Sequence, residues 1–480
     1  MFFSCMHFAR KIITNSLWLY GSEIVNKILM FFFIVYLARQ LGAEQFGLYT
    51  FALSFTLLFM GMINLGMNSL FIRDVARDKE KLIEYHNHIF IFRLAASFIC
   101  FLIISLIIYL LGYDQKTFFI VLFFTLYLII STFAQLYISF FRIHEEMNYE
   151  AVIRTVEKIF LIIPGLAALY FGYGLYSISA IYLFSAFVAL LLSLYYTRKR
   201  YAKIHFDYKK DVMKDIVKKA MPFAFFAVFY DIYFRVDVTI LKFLEGNVAT
   251  GLYGSATKIT EVFLFIPQIF SRASFPSISN IYKNMQQYLS FVYTKSIKFL
   301  LIIIVPTAFF TMFFSEKIMN LLYGNEFIGA SSALIILMFA MVFIFVTTIS
   351  MHFLISTNNE KKTSALIAAL AVLNLLFNFA LIPYFHIVGA AAATLLTEII
   401  AFLVTFYLIK KHYGINPLQM YIVKLILLSG VLAYGLNFYA SLNLFALLAL
   451  YLILFAIGIF ALKIIDKEEF LLLKKLFFAK

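Results

Sequence analysis

The feature that most restricts the fold of this chain is a series of long apolar runs separated by short polar breaks. Hydrophobic residues make up 64% of the 480 residues, and charged residues make up 14%. A helix needs about 20 mostly apolar residues to cross a bilayer, and the runs are long enough to do so. They also lack the alternation typical of an outer-membrane barrel strand. We therefore predict an all-α polytopic membrane protein with about 14 transmembrane helices.

The distribution of Lys and Arg over the breaks indicates how the spans are oriented. Positive charge concentrates on every second break, with the largest cluster at residues 198–219, and cytoplasmic loops retain Lys and Arg. We expect an inner-membrane protein with both termini in the cytoplasm. Topology and attraction to membrane lipids explain the net charge of +15, so nucleic acid is not an expected partner. The spans, numbered 1 to 14 in chain order, are 12–38, 46–72, 89–111, 118–141, 152–171, 175–196, 220–243, 251–275, 291–314, 330–355, 364–382, 388–409, 421–439 and 444–465.

An internal repeat relates the two halves of the chain. The sequence Gly-Leu-Tyr at 47–49 recurs at 251–253, and the same offset aligns Gly42 with Gly246. A weaker similarity aligns 177–199 with 389–411. Matches in corresponding spans favour two six-helix lobes, an arrangement used by alternating-access transporters. The predicted domains are an N-terminal lobe at 1–200, a cytoplasmic linker at 201–219 that either lies on the membrane surface or forms a solvated loop, a C-terminal lobe at 220–412, and spans 13 and 14 with a cytoplasmic tail at 413–480.

Ionisable side chains inside the spans carry most of the functional information, because each costs at least about 2.5 kcal/mol near the bilayer centre. Glu23 and Lys27 are four residues apart in span 1, and Asp231 and Arg235 have the same spacing in span 7. Each pair is either a neutralised structural pair or part of a charged cavity. Asp237 lies on a different face of span 7.

Span 8 carries a polar stripe at helical spacing, formed by Lys258, Glu261, Gln268 and Arg272. Arg272 has no acidic residue three or four positions away. It is therefore the best single candidate for an anion contact, since a guanidinium presents a fork of donors to phosphate oxygens. The alternative for Arg272 is snorkelling to the membrane interface.

Three further ionisable residues are interpreted from their depth in the spans. Glu398, in the middle of span 12, is either a protonatable coupling site or a structural residue bonded to Thr394, Asn374 or Asn378. Arg93 lies near the cytoplasmic end of span 3, which predicts snorkelling. Arg154 lies near the cytoplasmic end of span 5 and is predicted to be structural.

Cofactor, metal and enzyme chemistry are not predicted. Cys5 and Cys100 have no His or Asp at metal-ligand spacing, and two cysteines cannot make a disulfide framework. An embedded transferase would need a sizeable extracytoplasmic loop with paired carboxylates, and the outward breaks are too short for one. We therefore expect a protein without a cofactor that is not an enzyme.

Five stretches of the sequence carry a family resemblance through their order and spacing. They are 36–59 (YLARQLGAEQFGLYTFALSFTLLF), 68–79 (NSLFIRDVARDK), the second Gly-Leu-Tyr unit, Phe-Pro-Ser at 275–277, and 382–398 (IPYFHIVGAAAATLLTE). With these residues the chain resembles the polysaccharide and O-antigen flippases of the multidrug, oligosaccharidyl-lipid and polysaccharide exporter superfamily. The resemblance implies a V-shaped, MATE-like pair of six-helix lobes, with a central cavity lined by spans 1, 2, 7 and 8.

The resemblance also implies a substrate, a polyprenyl-diphosphate-linked oligosaccharide moved from the cytoplasmic to the outer face by alternating access. Cations of the cavity would hold the diphosphate, and the matching residues here are Lys27, Arg235, Lys258 and Arg272. Acidic candidates for ion coupling, or for polar positions of the cavity, are Glu23, Asp231, Asp237, Glu261 and Glu398. Polysaccharide polymerase machinery is a further candidate partner.

Two alternative functions share this fold. An ion-coupled multidrug exporter would need an acidic pocket, which Glu23, Asp231 and Asp237 could supply, but the embedded cations favour an anionic head group. Flippases of the peptidoglycan precursor carry a buried cation in helix 2, where this chain has Asn64 and Asn68. The peptidoglycan precursor therefore ranks lower as a substrate.

Overall fold

The computed structural model of the chain is helical in almost all of the residues that it describes. These are 2–201, 208–415 and 419–465, without the side chains of 2–17, 19–20, 272–273, 275–277, 280 and 284. No strand occurs in these ranges, which confirms the predicted all-α class. The α-helices are α1 (Phe2–Leu57), α2 (Met60–Asn64), α3 (Met67–Arg77), α4 (Leu82–Leu110), α5 (Gln115–Ile143), α6 (Met147–Tyr170), α7 (Leu175–Arg200), α8 (Lys210–Asn284), α9 (Leu289–Tyr323), α10 (Ser331–Ser356), α11 (Glu360–Tyr413), α12 (Met420–Asn437) and α13 (Leu444–Ala461).

Three of the long helices are interrupted by a residue with a positive φ. The interruption lies at Gly42 in α1 (φ 72°), at Gly246 in α8 (φ 82°) and at His386 in α11 (φ 51°). Glycine adopts a positive φ without steric penalty because it lacks a Cβ atom. Gly42 and Gly246 are the two glycines that the sequence repeat aligns, so the repeat is visible as two matched helix interruptions.

Nine helices within the described ranges are long and apolar enough to cross a membrane, by length and composition. One of them, α11, contains both span 11 and span 12, because the helix continues on either side of His386. Counting helices therefore does not count spans. The chain is a multi-pass membrane protein, and the number of about fourteen spans stays a prediction.

Two compact units make up the chain, Met1–Gly254 and Ser255–Lys480. In the first unit, α5 packs against α7 and α6 packs against both α7 and α1. In the second unit, α10 packs against α9 and α11, and the terminal pair α12 and α13 packs against α9. The lobe limits expected from the sequence, 1–200 and 220–412, stay predictions.

The beginning of α8 shows which structure the second part of the predicted linker, 201–219, adopts. Residues 202–207 of that linker lie outside the described residues, and from Lys210 the chain is helical. The apolar face of this segment carries Ile216 and Ala220, which are buried against Leu70 and Phe71 of α3. Protein rather than solvent therefore covers the apolar face of this segment.

Span 2 is interrupted between α1 and α2 and again between α2 and α3. Leu65 and Gly66, at the second interruption, both have a positive φ. A Cβ atom on Gly66 would come within 2.3 Å of the Phe223 Cβ, and one on Gly61 would come within 3.0 Å of Val228. The interrupted span 2 thus packs closely on α8. Discontinuous membrane helices are where many transporters build their binding sites, since the breaks free backbone polar groups.

Candidate functional site

The two Gly-Leu-Tyr units of the repeat cross each other in the first compact unit. A Cβ atom on Gly47 would come within 1.8 Å of the Asn247 carbonyl oxygen, and one on Gly251 would come within 2.0 Å of the Ala43 carbonyl oxygen. Ala43 and Asn247 are related by the same repeat offset, so the crossing has near-symmetric contacts. Small residues let membrane helices approach closely, and at these two positions only glycine fits.

The tyrosine of each Gly-Leu-Tyr unit is buried and uses its hydroxyl in a hydrogen bond. The Tyr49 hydroxyl lies 2.6 Å from that of Tyr182 in α7. Tyr253 donates instead to Asp237 Oδ2 at 2.5 Å. The other oxygen of Asp237 accepts the N–H of Val238 at 2.7 Å, and the residue is 9% exposed. Asp237, a polar candidate in span 7, is therefore held as a buried and hydrogen-bonded carboxylate.

Asp231 and Arg235 interact electrostatically along α8. Asp231 also accepts a hydrogen bond from the backbone N–H of Gly61, in the first turn of α2. The first N–H groups of a helix lack intrahelical partners, so Asp231 acts as a cap for this short segment. The pair predicted from four-residue spacing thus also links α8 to the interrupted span 2.

Glu23 and Lys27 form a loose ion pair, with Lys27 Nζ 3.8 Å from Glu23 Oε1 and both side chains partly exposed. A tighter charged group lies close to them. Glu150, whose side chain is fully buried, accepts hydrogen bonds from Arg142 Nε at 2.7 Å, from Arg142 Nη2 at 2.6 Å and from Arg154 Nε at 2.8 Å. Arg142 also interacts electrostatically with Glu23. Charged residues from α1, α5 and α6 therefore gather in one region.

Arg93 does not snorkel, and that prediction was wrong. The side chain is fully buried, and it donates from Nη1 to the Thr132 carbonyl and from Nη2 to Asn68 Oδ1, the latter at 2.8 Å. Neither of these two partners is acidic. Arg93 lies about three helical turns after the start of α4 at Leu82, and its guanidinium is directed toward acceptors on α3 and α5 instead of extending along the helix.

In the second compact unit, Lys258 and Glu261 form an ion pair. Lys258 Nζ lies 2.9 Å from Oε1 and 2.8 Å from Oε2 of Glu261, so the ammonium charge is compensated within its own helix. Arg272 has its backbone in α8, but its side chain lies outside the described residues. Its predicted role as an anion contact stays a prediction.

Glu398 is buried in α11 and accepts a hydrogen bond from Thr347 Oγ1 of α10 at 3.1 Å. The two asparagines expected around it are linked to each other and to Thr397, the residue before Glu398. Asn374 donates to Thr397 Oγ1 at 3.4 Å, and Asn378 donates to the Asn374 carbonyl at 2.8 Å. A buried carboxyl group that accepts from the Thr347 hydroxyl fits either of the two roles expected for it.

A family model described as polysaccharide biosynthesis protein matches residues 12–282 of the chain, which is more than half of its length. The chain belongs to this family. Among the relatives of this polysaccharide biosynthesis protein is a probable low-salt glycan biosynthesis flippase of Haloferax volcanii, 26% identical over 87% of this chain and 88% of the relative. Another is a putative O-antigen transporter of Shigella flexneri, 22% identical over 79% of this chain and 93% of the relative.

Solved structures show which fold the chain has. The Lipid II flippase MurJ in an inward closed conformation superposes with a TM-score of 0.74 at 16% identity, covering 94% of this chain and 99% of MurJ. An inward-facing multidrug resistance MATE family transporter superposes with a TM-score of 0.68 at 17% identity, covering 81% of this chain and 94% of the transporter. The expected MATE-like fold is therefore confirmed.

The charged group around Glu150 was not among the site candidates of this polysaccharide biosynthesis protein. Glu150 and Arg154 are four residues apart, a spacing that the sequence displays. Arg142 precedes Glu150 by eight residues, and the turn between α5 and α6 separates them. The four-residue spacing could therefore predict the contact of Glu150 with Arg154, whereas its contact with Arg142 depends on how α5 and α6 pack.

Proposed function

We propose that this protein is a flippase that moves a polyprenyl-diphosphate-linked oligosaccharide from the cytoplasmic to the outer face of the inner membrane by alternating access. Its relatives from Haloferax and Shigella are named as a flippase and as an O-antigen transporter, which supports this class of substrate. The observation that carries the proposal is the set of cationic side chains kept within apolar helices, because such groups are costly in lipid and mark substrate pathways.

In the proposed mechanism the diphosphate is bound by cations of spans 1, 7 and 8. Arg235 and Arg272 supply most of the affinity, since guanidinium groups match phosphate oxygens with two parallel hydrogen bonds. Lys27 adds positive charge, because its ion pair with Glu23 is loose. Lys258 contributes less, since Glu261 already compensates its charge.

The acidic candidates have two proposed tasks. Asp231 and Asp237 hold helices in place, in agreement with their bonds to Gly61 and Tyr253. Glu398 is the proposed ion-coupling residue, because it is buried in α11 with a hydroxyl partner, and ionisable groups kept inside membrane helices mark ion and proton pathways. Both termini are proposed to lie in the cytoplasm, and polysaccharide polymerase machinery is a proposed partner.

The test is a flipping assay in proteoliposomes with a fluorescent lipid-linked oligosaccharide. The double substitution Arg235→Gln and Arg272→Gln is expected to abolish flipping while expression and thermal unfolding remain as in the wild type. Lys411→Gln is the matched control, because this basic residue lies in the last turn of α11 and is expected to leave flipping unchanged. Undiminished flipping by the double variant would reject the anion-binding role of these arginines.

The same vesicles separate the alternative functions. An ion-coupled multidrug exporter would move a cationic dye, and the Arg235 and Arg272 variants would retain that activity because the arginines repel a cation. A peptidoglycan-precursor flippase would move lipid II in preference to other lipid-linked glycans. We expect neither result.

A further inference from the structure

Two arginines share one carboxylate at the junction of α5 and α6. We call this group, which consists of Arg142, Glu150 and Arg154, the arginine pair on Glu150. One fully buried carboxylate holds two guanidinium groups, whose side chains are each 38% exposed. The group therefore keeps one net positive charge and presents it to the outside. A purely structural carboxylate needs only one arginine, and a second like charge beside the first adds repulsion.

The geometry leaves most of the donors of this pair available. Two guanidinium groups carry ten N–H donors, and the hydrogen bonds to Glu150 use three of them. Glu150 fixes both groups in orientation, so little side-chain entropy is lost when they bind an anion. Phosphate oxygens are the acceptors that match two such forks, since each fork can form two parallel charge-assisted hydrogen bonds.

The position of the pair connects it with the transport pathway proposed above. Arg142 is in the last turn of α5, where the positive-charge distribution places the cytoplasmic side. It interacts electrostatically with Glu23, the partner of Lys27 in span 1. Glu23 thus interacts with both Lys27 and Arg142. The three cations Lys27, Arg142 and Arg154 outnumber the two carboxylates Glu23 and Glu150, so this group of five keeps one net positive charge.

We propose that the arginine pair on Glu150 is a binding site for the diphosphate head group of the substrate at the cytoplasmic side of the first compact unit. The proposal rests on the proposed flippase function and adds a capture site that is separate from Arg235 and Arg272. An anionic phospholipid head group has the same phosphate chemistry, and the experiment must therefore distinguish the two sources.

The experiment measures binding of farnesyl diphosphate to the purified full-length protein by quenching of its single tryptophan, Trp18, which is 52% exposed and lies in α1. Ligand depletion in equilibrium dialysis provides a second readout that does not depend on the position of Trp18. The double substitution Arg142→Gln and Arg154→Gln is expected to weaken binding at least about tenfold. Arg200→Gln is the matched control, because Arg200 forms its ion pair with a different carboxylate, Glu146, and its substitution is expected to leave binding unchanged.

Arg154→Lys separates recognition from folding. A lysine keeps the charge and one hydrogen bond to Glu150, so thermal unfolding should be unchanged, whereas diphosphate binding should weaken several-fold because the fork is lost. If Arg154→Lys and the double variant, both folded, bind farnesyl diphosphate like the wild type, the proposed site is rejected.

Two further outcomes identify the source of the phosphate. Nanodiscs containing phosphatidylglycerol should compete only weakly with farnesyl diphosphate for the protein. Strong competition that disappears in the double variant would assign the arginine pair on Glu150 to bilayer head groups and overturn the substrate assignment.

In the flipping assay the double variant should lose activity at low substrate concentration. Full flipping by the variant would reject this site alone, whereas inactivity of the wild type would reject the flippase function itself.

Discussion

Gly47 and Asn247 approach so closely that a Cβ atom on Gly47 would lie 1.8 Å from the Asn247 carbonyl oxygen. The repeat-related contact, between Gly251 and the carbonyl of Ala43, has almost the same geometry. The sequence repeat is therefore also a repeat of contacts, in which each copy supplies one glycine and receives the other. Close approach of this kind makes the crossing sensitive to the smallest added side chain.

We expect Gly47→Ala and Gly251→Ala each to lower the thermal unfolding temperature and to reduce flipping strongly. The added methyl group must displace a backbone carbonyl, which cannot move as a flexible side chain can. Gly21→Ala, in the same helix as Gly47 and with no atom within 4 Å of its added Cβ, is the control and should be neutral or slightly stabilising. Equal behaviour of Gly21→Ala and Gly47→Ala would contradict the observed crossing.

The two tyrosines of the repeat should differ in what their hydroxyl groups contribute. Tyr253→Phe removes a hydrogen bond to the buried carboxylate of Asp237, and we expect a loss of about 1.5–3 kcal/mol in unfolding free energy. Tyr49→Phe removes a bond between two neutral hydroxyls and should cost about 0.5–1.5 kcal/mol. Denaturant unfolding of the two variants in the same detergent provides the comparison. A smaller loss for Tyr253→Phe would mean that Asp237 is uncharged.

Asn68 and Asn64 offer a matched test of the buried Arg93. Asn68→Ala removes the side-chain acceptor of a buried guanidinium and should destabilise the protein by about 1.5–3 kcal/mol. Asn64→Ala, at the end of α2 on the other side of the interruption at Leu65 and Gly66, should have a smaller effect, because the Asn64 Oδ1 atom has no hydrogen-bond partner among the described residues. The measurement is thermal unfolding followed by cysteine-reactive dye or circular dichroism. Similar losses in both variants would contradict a stabilising hydrogen bond between Asn68 and Arg93.

Glu146, in the turn between α5 and α6, should make stability depend on pH. Burial acts to raise the pKa of its carboxyl group, but hydrogen bonds from Arg200 and Tyr201 outweigh burial and hold the pKa below its ordinary value of 4.5. A depressed pKa in the folded state means that the stabilisation is fully present above pH 4.5 and is lost as pH falls through the folded-state pKa.

The corresponding variant is Glu146→Gln, which removes the titrating group while keeping its shape. Between neutral pH and about pH 4, the unfolding temperature of the wild type should fall more than that of the variant. Differential scanning fluorimetry at both pH values measures the two decreases. A variant that loses as much stability as the wild type would show that other carboxylates govern the acid response.

The charged residues within the helices show which features local sequence patterns can predict and which they cannot. Four-residue spacing predicted the neighbours Glu23 with Lys27 and Asp231 with Arg235, because side chains four apart lie on one face of a helix. The position of a charged residue relative to the end of its helix was less predictable from the sequence. Arg93 was assigned to the membrane interface from its distance to a predicted span end, but α4 begins at Leu82, ahead of span 3, and the Arg93 side chain is buried between helices.

The sequence by itself determined the all-α class, the membrane setting and the repeat with its matched glycines at 42 and 246. These features depend on composition, on the length of each apolar run and on the conformational freedom of glycine, all of which are local properties. In a bilayer of fixed thickness, an apolar run of sufficient length must form a helix to satisfy its backbone hydrogen bonds. Only the tertiary structure decided the partners across helices, such as Arg142 with Glu150, Asp237 with Tyr253 and Arg93 with Asn68. The physical reason is that packing against neighbouring helices sets the rotation and depth of each helix, and spacing within one helix does not encode either.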